Sequence, residues 1–125
     1  MMITRTRLCG AMLTCLFMFG ACAPRDVGFS ADVQPILKKY CLDCHVPGGP
    51  GYDASGFDMS SHESLMKGGK YGAFVIPGDP FGSNLMVLVE GRAHPSIRMP
   101  HGREKLSEGE IELLRTWVQE GAKNN

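Results

Sequence analysis

Two cysteines and a histidine stand close together at Cys41, Cys44 and His45, and their types and spacing suit one chemistry. Residues three apart share a face of a helical turn, so both thiols can reach the same flat ligand. The C-x-x-C-H pattern is typical of covalent haem attachment, in which each thiol adds to one vinyl group and the histidine binds the iron. The pattern therefore predicts one haem c, held by Cys41 and Cys44 and ligated on one face by His45.

Two other uses of a C-x-x-C pair compete with haem attachment. A thioredoxin-like redox pair needs a βαβ setting and an activated thiolate, and the sequence around Cys41 lacks that alternation. A zinc site needs a second ligand pair at similar spacing. The chain has no second C-x-x-C, and His94 and His101 are seven residues apart. We therefore favour haem over both alternatives.

A methionine in the proline-bounded loop near residue 100 is the favoured second iron ligand. Met99 precedes Pro100, which biases it away from helix and lets its side chain project. A thioether suits low-spin haem iron. Met99 follows His45 by 54 residues, enough chain to come round to the other haem face. The alternatives for this position are His94, His101 and Met86.

Length and composition indicate one small, loop-rich domain. The chain has 125 residues, with 16 glycines and 8 prolines. A domain of this size buries a limited apolar core, and a large flat cofactor would supply much of the missing apolar volume. The formal net charge is zero and there is no basic run, so nothing indicates nucleic acid as a partner.

The first 21 residues read as an export signal. Arg5 and Arg7 precede a 12-residue, mostly apolar stretch that is too short to span a bilayer comfortably. Residues 19–22 resemble a bacterial lipobox, which predicts lipidation of Cys22. The competing interpretation is ordinary cleavage at the A-x-A pattern of residues 21–23, which the following Pro24 disfavours. We expect a lipoprotein anchored at Cys22 on the periplasmic side of a bacterial membrane.

This processing accounts for all five cysteines. Cys9 and Cys15 leave with the signal, Cys22 takes the lipid, and the remaining two take haem. Residues 22–28 then form a tether, and residues 29–123 the domain. The processed chain has eleven basic and thirteen acidic side chains, a net charge of −2. Electrostatic attraction would therefore favour a redox partner protein that carries a basic docking patch.

Apolar spacing and capping residues predict about four short helices. The first runs from Phe29 to Tyr40 and delivers the chain into Cys41. A glycine- and proline-rich turn follows His45. Capping boxes at Ser60/Glu63 and Ser107/Glu110 begin two further helices, and Ser83 can cap another. His62, near a helix start, is expected on the surface, and Trp117 in the core.

Taken together, these features resemble the monohaem class I cytochrome c family. The residues that carry the resemblance are the C-x-x-C-H motif, Met99–Pro100 and the closing helix, whose pattern includes Leu106, Ser107, Glu110, Ile111, Leu114 and Trp117. The segment 75–80 is similar to cytochrome c-like domains of planctomycete-type and other bacterial proteins. The resemblance covers about Phe29 to Lys123. It implies an all-α fold of short helices wrapped round one haem, with the N- and C-terminal helices crossing.

The function predicted from these observations is one-electron transfer between redox partners, with His45 and Met99 on opposite faces of the haem. Two protein ligands leave no open iron position, so the protein is expected to be a carrier and not an enzyme. If Met99 does not bind the iron, a small-gas sensor or a weak peroxidase is the alternative. A haem subunit of a larger membrane-associated dehydrogenase or oxidase is a further alternative.

Overall fold

The computed structural model describes residues 25–125, in which short helices are joined by turns and irregular loops. A π-helical segment, Phe29–Val33, continues directly into α1, Gln34–Tyr40. The other α-helices are α2 (Pro50–Ser55), α3 (His62–Lys67), α4 (Asn84–Val89) and α5 (Glu108–Gln119), with a short 3₁₀ turn at Pro95–Ile97. Residues 25–125 contain no β-strand, apart from an isolated bridge between Gly69 and Gly72. The predicted all-α fold of short helices is confirmed.

The first and last helices pack together at the centre of the core. Phe29, Val33, Leu114, Trp117 and Val118 are all buried, and the Phe29 and Trp117 rings lie 5.8 Å apart. The Trp117 indole N–H donates to the Lys123 carbonyl at 3.0 Å, which satisfies its polar atom inside the core. The expected core position of Trp117 is confirmed.

The turn after His45 contains a helix that the sequence patterns did not indicate. Gly49 is the N-cap of α2, and Pro50 is its first residue, where a missing N–H costs little. The helix ends at Gly56, whose φ of 66° is left-handed. A second difference concerns α3, which begins one residue later than expected. Its capping box joins Ser61 to Ser64 instead of Ser60 to Glu63.

His62 is half-buried, so its expected surface position is wrong. Its Nε2 lies 2.7 Å from the Ala122 carbonyl oxygen, and its ring packs edge-on against Phe29 and Trp117. The imidazole therefore holds the end of the chain against the first helix. Its position in the first turn of α3 gave no indication of this long-range contact.

Ser83 precedes α4 but does not cap it with its side chain. Its buried hydroxyl accepts from the Ile76 N–H at 2.8 Å and donates to the Asp79 carbonyl at 2.7 Å. The hydroxyl therefore closes the turn that leads into α4. In residues 25–125, no helix has the length and apolar character needed to cross a membrane.

Candidate functional site

A cavity of about 470 Å³ lies beside the end of α1, and most of its lining is apolar. This volume falls within the range of binding sites for small organic molecules. Cys41, Cys44, His45 and Met99 all line it, together with residues from α2, α4 and the loop after residue 95. Groups separated by more than 50 residues in the chain thus meet round one space.

The C-x-x-C-H segment forms a helical turn that continues from α1. The Cys41 N–H donates to Leu37 at 2.8 Å, and the His45 N–H donates to the Cys41 carbonyl at 2.9 Å. Two later segments also bond to this turn. The Tyr52 N–H donates to the Cys44 carbonyl at 2.9 Å, and the Met59 N–H donates to the His45 carbonyl at 2.8 Å. The motif is therefore held by backbone bonds on both sides.

His45 has the environment expected of a metal ligand. Burial lowers the pKa of its imidazole, although the adjacent backbone of Phe57 favours the protonated ring. The neutral imidazole is the form that binds iron. Its Nδ1 atom is buried and makes no hydrogen bond within residues 25–125. A buried polar atom without a partner costs free energy, unless another group forms a bond with the ring.

Two glycines make room for this turn. A Cβ on Gly51 would lie 2.8 Å from Cε1 and 2.9 Å from Nε2 of His45. A Cβ on Gly49 would lie 2.5 Å from the Cys44 carbonyl oxygen. All three distances are shorter than the normal approach of non-bonded atoms. The glycines therefore let α2 pack directly on the histidine.

The cysteine environment disfavours a dithiol redox site. Burial raises the pKa of Cys41 to about 12, with the neighbouring Cys44 adding to the shift and Arg103 opposing it. Redox-active cysteines instead have depressed pKa values, because the thiolate is the nucleophile. The two cysteines are not joined by a disulfide. They remain thiols that a vinyl group in the cavity could meet.

The cysteines and the histidine do not converge as zinc ligands would. Among the residues described, no three His, Cys, Asp or Glu side chains lie where they could jointly hold a metal ion. A structural zinc site needs four such ligands at one point. Side chains spread round an apolar space suit a large flat group better than a single ion.

The loop that contains Met99 closes the cavity on another side. The 3₁₀ turn Pro95–Ile97 leads into it, and the Met99 N–H donates to the Leu88 carbonyl of α4 at 3.2 Å. His101 also lines the cavity. His94 is exposed and pairs with Ser96, while Met86 is fully buried in the core, and neither lines the cavity. The candidates for a second ligand therefore reduce to Met99 and His101.

An ion pair joins this loop to the cysteine segment. Arg103, which lines the cavity, donates to the carboxylate of Asp43, the residue between the two cysteines. Both side chains are substantially exposed, so the pair contributes little to stability. It nevertheless places a positive and a negative charge beside the two sulfurs.

Several cavity residues were not identified from the sequence. Phe57 and Phe74 stack with ring centres 4.1 Å apart, and Phe57 also meets His45 edge-on at 5.9 Å. Tyr71 lies at the rim of the cavity and is exposed. Buried Phe57 and Met59 flank a more exposed Asp58, so the alternation of apolar and polar residues could have indicated that Phe57 is buried. Nothing local identifies Phe74 or Tyr71.

The residues present fit a covalently bound haem. The two thiols, a neutral imidazole and a thioether are the donor set such a group uses, and they surround an apolar cavity. The predicted lipidation site Cys22 and the signal peptide lie outside the described residues. Lipidation and export therefore stay predictions.

Comparison with known proteins agrees with this geometry. Residues 41–102, just under half of the 125-residue chain, match the family described as planctomycete cytochrome C. No curated protein and no solved structure gives a significant match. The matched stretch contains both cysteines, His45 and Met99, and cytochromes of this kind use covalent haem for electron transfer. Over this stretch the chain is similar to the planctomycete cytochrome C family, in agreement with the cytochrome c-like family that the resemblance predicted.

Proposed function

We propose that the protein is a one-electron carrier of the cell envelope, with its haem bound to Cys41 and Cys44 and ligated by His45 and Met99. We further propose that it is exported and held at the membrane by lipid on Cys22. When bound, the haem supplies an iron that cycles between two oxidation states and so accepts and returns one electron.

One observation carries this proposal. Two thiols, an imidazole and a thioether line a single apolar cavity, although Met99 is distant from the other three in sequence. Cys41 and Cys44 would bind the ring, His45 would hold the iron from the side of α2, and Met99 would approach from the loop fastened to α4. The apolar lining would exclude water from the iron, which favours ligation by a weak donor such as a thioether.

The test is an optical spectrum of the full-length protein, oxidised and reduced, after expression with haem-attachment machinery. A low-spin reduced spectrum, together with the weak red absorption of methionine-ligated ferric iron, is the expected result. A high-spin spectrum that changes on addition of carbon monoxide would overturn the carrier proposal. That result would favour the small-gas sensor or weak peroxidase, because the iron would have an open position.

Matched variants identify the second ligand. Met99→Ala is expected to abolish the red absorption, whereas Met66→Ala, which removes a half-buried methionine outside the cavity, is expected to keep it. His101→Ala tests the remaining competitor. If His101→Ala removes the low-spin spectrum and Met99→Ala does not, His101 is the ligand and the Met99 assignment is wrong.

A further inference from the structure

The chain that leads into the first helix is fastened to the body of the domain. The Arg25 guanidinium donates to both carboxylate oxygens of Asp32 at 2.7 Å. The same carboxylate accepts from the Gly28 N–H at 2.8 Å. Arg25 is largely exposed, so this ion pair alone would be worth little. The backbone bond at Gly28 adds a contact that does not depend on a flexible side chain.

The same segment is also bonded to the end of α5 and to the last residues of the chain. The Val27 N–H donates to Glu120 at 2.9 Å, and Val27 packs against the core. Lys123 pairs with Asp26 at 2.9 Å. The Ser30 N–H donates to the Asn125 carbonyl oxygen at 3.1 Å. We call residues 25–30 and 123–125 together the terminal edge of the domain.

The terminal edge and the cavity lie at opposite ends of the first helix. The helix begins at Phe29, beside the terminal edge, and ends at Tyr40, which lines the cavity. Twelve residues at about 1.5 Å each separate the two ends by about 18 Å. None of residues 25–33 lines the cavity. The cavity is therefore remote from the place where the chain enters the domain.

The distance from Cys22 to this edge is short. Ala23 and Pro24 alone separate Cys22 from Arg25. Three peptide units span at most about 11 Å. If the cavity faced the lipid along the helix axis, Arg25 would have to stand about 18 Å above the surface, beyond the reach of this connection. A lipid on Cys22 is compatible with the opposite orientation.

We propose that lipid on Cys22 seats the domain on the membrane by its terminal edge and directs the cavity away from the bilayer. The electron partner would then be a protein in the aqueous compartment and not a carrier dissolved in the lipid. This inference rests on the proposed lipid anchor. The orientation goes beyond the anchor, because anchoring alone does not determine which face of the domain meets the membrane.

The test compares two labelled positions in the full-length lipoprotein. Asn124→Cys lies on the terminal edge, and Glu104→Cys lies next to Arg103 at the cavity; both side chains are exposed. Each carries a nitroxide, and the protein is reconstituted in vesicles of phosphatidylethanolamine and phosphatidylglycerol. The measurement is collision of the label with a water-soluble nickel complex, relative to the same label in a Cys22→Ser background.

A several-fold loss of collisions at position 124, with no change at position 104, is the expected result. An equal or greater loss at position 104 would overturn the proposed orientation. A second variant inserts fifteen glycine and serine residues between Ala23 and Pro24, which lengthens the connection by about 20 Å on average. The difference between the two labels should then shrink. A difference that persists unchanged would contradict the role of the short connection.

Mass spectrometry of the purified protein separates the two levels of the proposal. Lipid on Cys22 with the reverse order of label protection would overturn the orientation and leave the anchor standing. Absence of lipid would overturn the anchor, and with it this inference. Neither result depends on the haem spectrum, so the electron-carrier proposal is tested independently.

Discussion

At the scale of single residues, the cavity depends on glycine at position 51 as specifically as on the side chains that line it. Alanine normally stabilises a helix relative to glycine, by about 0.5–1 kcal/mol. At position 51, however, the new methyl group would lie 2.8 Å from the His45 ring. We expect Gly51→Ala to lower thermal stability and to broaden or shift the haem absorption, because the ring must move. Thermal melts and optical spectra would measure both effects.

Gly109→Ala is the matched control, since Gly109 lies in α5 with nothing within 4 Å of an added Cβ. This variant should gain about 0.5–1 kcal/mol and leave the spectrum unchanged. If both alanine variants are stabilised equally, the packing of Gly51 against His45 is not a constraint.

The charges of Asp43 and Arg103 are expected to affect the reduction potential of the haem. A positive charge near the iron disfavours its more positive, oxidised state. Arg103→Gln should therefore lower the reduction potential, and Asp43→Asn should raise it by leaving Arg103 uncompensated. Both shifts should be small and should weaken with added salt, because the pair is exposed. Redox titration measures them, and shifts of the same sign in both variants would contradict the argument.

Residue chemistry could be predicted from the sequence where it depends on local spacing. Cys41, Cys44 and His45 form one turn, so their proximity follows from the chain itself. The choice between Met99 and His101 depends on how a loop folds over α4, and both side chains reach the cavity. His94 could be set apart from them only once its bond to Ser96 was visible.

At the scale of elements, helices with strong local signals were predictable and helices made by packing were not. The capping box at Ser107 and Glu110 and the apolar stripe behind it predicted α5, and both are present. The helix α2 contains Pro50 and Gly51, which are poor helix formers, and its backbone bond to Cys44 holds it in place. In α2, tertiary contacts therefore outweigh the low intrinsic helix propensity of its residues.

Glu110 connects two elements and gives a prediction that depends on pH. Burial raises the pKa of this carboxyl group, but hydrogen bonds from Ser107, Lys39 and Tyr40 outweigh burial and hold the pKa at about 2. A depressed pKa means that the charged form stabilises the fold at pH above about 4.5 and that this stabilisation is lost as the pH falls toward about 2. The carboxylate thus fastens the end of α1 to the start of α5.

We therefore expect Glu110→Gln to be less stable than the parent by about 1 kcal/mol at pH 7, because glutamine can keep the capping box but loses the charge that strengthens the hydrogen bonds from Lys39 and Tyr40. The difference should disappear toward pH 2. Urea unfolding at several pH values measures it. Glu112→Gln is the control, because Glu112 is exposed on the same helix and pairs with Arg115 at the surface. A difference that stays constant with pH would show that Glu110 acts through packing alone.

At the scale of the whole molecule, the described residues divide into two regions that depend differently on the haem. The first helix and α5 pack on each other through Phe29, Val33, Leu114 and Trp117, none of which lines the cavity. The helix α2 and the Met99 loop instead pack against the cavity walls. Cooperative units in proteins often follow such differences in contact.

This division predicts how the protein behaves without attached haem. In Cys41→Ser/Cys44→Ser, the amides of Tyr52, Met59 and Met99, which bond across the cavity walls, should lose at least about tenfold of their protection from hydrogen exchange, or about 1.4 kcal/mol. The amides of Leu114 and Val118 should keep most of theirs, because their surroundings do not change. Exchange measured by NMR on both forms tests this. A uniform loss across all five amides would mean that the domain unfolds as one unit and that the haem stabilises every part of it equally.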